Sequence, residues 1–148
     1  MAALNFLSVI FAGLLAGSEF TIHYGLRAPA ESLDERSQLV LRQAMVRRLR
    51  ILVPAFFVPA AVFGVAVSVL GGSPGFWFRC TAMVALLGWV LIRAIGTIPI
   101  NSATLDWQIE TPPKNWKALV DRAERFHDAG VFAAVVAFAA LVVANLPR

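Results

Sequence analysis

Glu19 and His23 stand four residues apart in the stretch AGSEFTIHYG, inside the first long apolar segment of the chain. On an α-helix that spacing puts both side chains on one face, where the carboxylate can hold the imidazole and stabilise its protonated form. A carboxylate-backed imidazole is a general base suited to proton transfer near neutral pH. Other segments add Arg93, Asn101 and His127. An ionisable side chain within lipid costs about 2.5 to 3.5 kcal/mol at a helix centre, so such residues turn toward protein or a water-filled cavity. The sequence therefore predicts that Glu19, His23, Arg93 and Asn101 converge on one cavity at one end of a bundle. Glu19 finds its partner in His23 or in Arg93 across that bundle, and His127, which shares a face with Ala123, Glu124 and Val131, looks inward at the same level. The blander alternative is a Glu19–Arg93 ion pair that only fixes helix register, with both histidines solvated at an interface.

The elements that must position these groups are membrane helices. Of 148 residues, 59% are hydrophobic and 15% charged, well below the roughly 25% charged residues of soluble domains. Four apolar segments reach the roughly 20 residues needed to cross a bilayer, and the reading is an all-α, integral membrane four-helix bundle forming one domain over 1–148. Its helices are expected near 4–24, 33–70, 76–98 and 116–146. The second has an extended, amphipathic start, with Ser32 as its N-cap and Glu35 three residues on, and Pro54 and Pro59 inside it. Gly13 and Gly17, in GLLAG, allow close helix approach, either within the bundle or in a homo-oligomer.

The cations cluster on two connections. Arg27, Arg36, Arg42, Arg47, Arg48 and Arg50 follow the first helix, and Lys114, Lys117, Arg122 and Arg125 follow the third, whereas GGSPG between helices two and three has no charge. The positive-inside tendency then puts the charged connections in the cytoplasm, both termini (Met1 and Arg148) outside it, and the chain in a bacterial inner membrane. This topology accounts for the net charge of +4 without nucleic acid as a partner. The single Cys80 excludes an intrachain disulfide and Cys-x-x-Cys redox chemistry. No phosphate-binding glycine loop or nucleophile elbow is present. Zinc or di-iron would ask for more inward carboxylates than Glu19 supplies, so no metal ligand is assigned. His23 and His127 could instead clamp a haem, with Glu19 orienting His23.

The segment PINSATLDWQIETPPKNWKALVDRAERFHDAGV, residues 99–131, carries Pro99 and Asn101 after helix three, then Trp116, then basic residues and His127. In these features and in its size and four-helix layout the chain resembles the DUF1772 family of small membrane proteins, the group with anthrone-oxygenase-like members. The resemblance implies an oxidoreductase, a monooxygenase that uses molecular oxygen on a lipophilic aromatic small molecule drawn from membrane lipid and requires no bound cofactor. On that reading His23, or else His127, is the base, and Glu19 supports His23. Arg93 and Asn101 are donors to a developing enolate, and Tyr24, Trp89, Trp107 and Trp116 bind the substrate. A haem protein and a non-catalytic small membrane subunit are the alternatives.

Overall fold

The computed structural model describes residues 1–146. Arg148, which the sequence reading sets outside the cytoplasm, lies beyond the described residues. Four helices follow one another, α1 (Ala2–Glu31), α2 (Glu35–Leu70), α3 (Phe76–Thr104) and α4 (Trp116–Ala144), each long and apolar enough to cross a membrane. They pack as a square in which α1 touches α2 and α4, and α3 touches α4 and α2. The chain is thus an all-helical four-helix bundle, with no strand among the described residues.

Small side chains make the packing close. Ala12, Ala60, Ala82, Ala137 and Ala134 are at most 1% exposed and sit beside Leu15, Val67 and Leu141. Gly13 belongs to this internal packing, since a Cβ there would stand 3.1 Å from the Phe138 ring of α4, whereas a Cβ at Gly17 would meet nothing within 4 Å. Large apolar side chains such as Val69, Trp77, Val84, Ile95 and Phe132 point outward, each at least 70% exposed. Around a whole bundle of this hydropathy, such a girdle is the surface that lipid covers.

Helix ends differ from expectation in three places. α1 does not stop near Tyr24 but runs on to Glu31, through a π-helical turn at Thr21–Gly25 and over Pro29. α3 likewise continues to Thr104, through a second π-helical turn at Arg93–Thr97. The N-cap of α2 is Asp34 rather than Ser32: its carboxylate accepts from the Ser37 N–H at 3.1 Å, while the Ser32 hydroxyl donates back to Pro29. Hydrogen bonding from Ser37, first its side chain and then its N–H, holds the Asp34 carboxyl below its ordinary value.

At the uncharged end, Gly75 adopts φ +76° and a Cβ there would fall 2.6 Å from the Ala144 carbonyl oxygen, so the turn needs glycine. Arg79 is 7% exposed and folds its guanidinium back onto the Gly72 and Pro74 carbonyls.

Candidate active site

Both π-helical turns lie at the charged end of the bundle, and each carries a site residue, His23 in α1 and Arg93 in α3. Single π turns inside α-helices recur at functional sites because the wider turn re-aims side chains. At the second, Gly96 packs directly against Phe126 of α4, and a Cβ there would stand 2.0 Å from the ring.

Two guanidinium–carboxylate pairs cross the diagonals of the square. Arg93 of α3 donates to Glu19 of α1 at 2.5 Å, with Glu19 fully buried. Arg42 of α2 donates to Glu124 of α4 at 3.3 Å and to the Asn101 side-chain oxygen at 2.8 Å. The histidines link the diagonals. His127 Nε2 lies 3.2 Å from Glu19 Oε2, and its Nδ1 lies 3.8 Å from Glu124 Oε2. His23 Nδ1 lies 3.2 Å from that same Glu124 oxygen, while its Nε2 lies 2.8 Å from Asp128 Oδ1. The Tyr24 hydroxyl also donates to Asp128, at 3.0 Å. One polar chain therefore runs from Arg93 through Glu19, His127 and Glu124 to Arg42 and Asn101, with a branch through His23 to Asp128.

This chain borders a mainly apolar cavity of about 520 Å³, which Arg27, Glu31, Gln38 and Arg50 also line, within the roughly 300 to 1,000 Å³ range of small-molecule sites. All four helices line it: Leu26 from α1, Met45, Val53 and Phe57 from α2, Trp89, Arg93 and Asn101 from α3, Trp116, Glu124 and His127 from α4. Trp89 stacks on Phe57 at 4.7 Å between ring centroids, and the Arg93 guanidinium lies over the Trp89 ring at 5.4 Å from its centre. Gly130 borders this corner, and a Cβ there would make ordinary contact with Trp89 at 3.7 Å and Glu19 at 3.9 Å.

Of the residues singled out from sequence, Arg93, Asn101, His127, Trp89 and Trp116 line the cavity. Glu19 backs that wall, bound to Arg93 and close to His127. The expected bond between Glu19 and His23 is not formed. His23 sits in a π turn, its partners are Glu124 and Asp128, and His127 takes the place beside Glu19. His23 is buried behind the cavity wall. Tyr24 lies at the outer edge, half exposed, and Trp107 is held apart by Gln43, which donates to its carbonyl at 2.8 Å and to that of Thr104 at 3.0 Å.

Sequence reasoning missed Arg42, Glu124 and Asp128 as site residues. Arg42 is one of six arginines in its stretch and carries no separate signal. The motif ERFHD, in which Glu124, His127 and Asp128 fall at i, i+3 and i+4, holds a usable one, because those positions share a helix face. Inward carboxylates are consequently more numerous than Glu19 alone. As for haem, both imidazoles aim Nε2 at carboxylates and Nδ1 at Glu124, with ring centroids 5.1 Å apart. A macrocycle between them would require parting the rings and giving up these contacts. Compared with protein-family models, curated proteins and solved structures, the chain finds no match in any of the three.

Proposed function

We propose that the chain is a membrane-embedded oxidoreductase of the anthrone-oxygenase type, which takes a lipophilic aromatic molecule from the bilayer and oxidises it with molecular oxygen. The observation that supports this most is the cavity itself: a mainly apolar space walled in part by Trp89 and Trp116 and reached by a base and by cationic donors. An anthrone CH₂ is acidic because its carbanion is delocalised over the rings and onto oxygen. His127, with Glu124 beside it, takes the proton, and Arg93, Arg42 and Asn101 face the oxygen on which negative charge develops. His127 replaces His23 in this role because it borders the cavity.

The carbanion then passes electrons to dioxygen. In total the CH₂ loses two hydrogens, one oxygen atom becomes the new carbonyl, and the other leaves as water. The substrate itself is the reductant. Orientation follows from charge: the site end carries the arginine-rich connections and lies at the cytoplasmic face of a bacterial inner membrane, with the N-terminus outside.

The test is anthrone oxidation by purified protein in detergent. His127→Ala should lower turnover by about 10²-fold or more, the usual scale for a general base. Val53→Trp, which fills the cavity, should raise KM. A Val53→Trp protein with unchanged kinetics would refute catalysis in this cavity.

A further inference from the structure

We propose that His23, His127 and Glu124 form a binding site for a divalent first-row transition ion. One ligand atom from each lies within 4.8 Å of the others, and all three residues are buried or half-buried. Two separations are known in detail: Glu124 Oε2 is 3.2 Å from His23 Nδ1 and 3.8 Å from His127 Nδ1. An ion bonded at about 2.1 Å to each atom needs separations of about 3.0 to 3.4 Å, so one of the three is already met and rotation of His127 must shorten its separations from Glu124 and His23.

What lies outside the three atoms points the same way. Histidines that bind metals direct their second nitrogen to a carboxylate or carbonyl, which fixes the tautomer and leaves a lone pair facing the ion. Here His23 Nε2 lies 2.8 Å from Asp128, and His127 Nε2 lies 3.2 Å from Glu19 but off hydrogen-bond alignment. In the tautomer that carries its proton on Nε2, each histidine turns an Nδ1 lone pair toward Glu124 Oε2, the arrangement an ion would bind; in the other tautomer His23 Nδ1–H donates to that oxygen at 3.2 Å. Arg42 occupies the other Glu124 oxygen, so this carboxylate would bind through Oε2 alone.

Two histidines and one carboxylate, with remaining positions open, form the donor set that suits iron(II) and related ions. Glu124 and His127 border the cavity, so the open positions can face a bound molecule. The binding site stands on its own geometry. Only its use, polarising the oxygen of an aromatic substrate in place of a bare imidazole, rests on the oxygenase reading.

Cobalt(II) is the probe, since its visible absorption reports nitrogen and oxygen ligation. Purified protein in detergent is stripped with chelator, freed of it, and titrated with Co²⁺. One ion per chain should bind with new visible bands. Glu124→Gln, which keeps shape and removes the ligand charge, and His23→Ala should abolish the bands. Asp128→Asn should weaken binding by about 10- to 100-fold, while Trp107→Phe should bind as wild type does. Stripped wild type that develops no bands, or bands that persist in Glu124→Gln, would overturn the site. Full anthrone turnover by the stripped protein would likewise overturn a role for the ion while leaving the oxygenase reading standing.

Discussion

Replacing Glu19 by alanine should be among the most damaging single changes in the bundle. Its carboxylate is fully buried, accepts from Arg93 at 2.5 Å and lies 3.2 Å from His127. Arg93 is itself only 9% exposed, so truncating Glu19 leaves a guanidinium with little water to turn to. Breaking a buried pair in this way costs about 3 to 5 kcal/mol. At roughly 2 to 4 °C per kcal/mol for a chain of this size, the melting temperature should fall by about 6 to 20 °C. Glu110 is the control. It also pairs with an arginine, Arg36 at 3.1 Å, but both side chains are at least 67% exposed, and exposed pairs contribute about 0 to 1 kcal/mol. Thermal unfolding in detergent, followed by circular dichroism, gives the comparison. The double variant Glu19→Ala/Arg93→Ala should lose less than the sum of the two single variants, because it removes the stranded charge. Equal melting temperatures for Glu19→Ala and Glu110→Ala would refute the claim that the diagonal pair is buried and coupled.

Three further outcomes can be checked in similar preparations. Gly96→Ala should destabilise by about 1 to 3 kcal/mol through its clash with Phe126, with partial rescue by Phe126→Ala, while Gly17→Ala, which meets nothing, should be neutral or gain up to about 1 kcal/mol; melting temperatures separate the two. Arg42→Gln should free both Glu124 and Asn101 and lower anthrone turnover more than Arg36→Gln, as read by quinone formation. The Asp34 cap lowers that carboxyl below its ordinary value of 3.8, so its contribution is complete above that pH and is lost as the pH falls through the folded-state value. Amide exchange at Ser37 should accelerate over that acid range in wild type and show no such step in Asp34→Asn.

The helices were legible because their apolar runs are long and their connections carry charge, turn residues or proline. So was the Glu19–Arg93 pair, since a buried carboxylate needs a partner and the length of α3 placed Arg93 at the right depth. The inward face of His127 followed from its neighbours Ala123 and Val131, which are buried with it. The π turns were not legible. Reading faces at a fixed α-helical period puts His23 beside Glu19, whereas the wider turn at Thr21–Gly25 and the approach of α4 give His23 to Glu124 and Asp128. Arg42 was hidden by its setting, because a cation that reaches into a bundle and one that marks the cytoplasmic face look alike in sequence. Pairings across a diagonal depend on how four helices rotate about their axes, and no spacing within one helix fixes that.

Isotope labelling tests the central proposal most directly. Purified wild-type protein in detergent is given an anthrone under ¹⁸O₂ in ordinary water, and the quinone is analysed by mass spectrometry beside reactions with no protein and with His127→Ala. The expected result is protein-dependent quinone carrying one ¹⁸O atom, formed with one O₂ consumed per molecule, and suppressed by about 10²-fold or more in His127→Ala. Quinone formed at the same rate with and without the protein, or formed with ¹⁶O from water, would contradict an oxygenase working in this cavity.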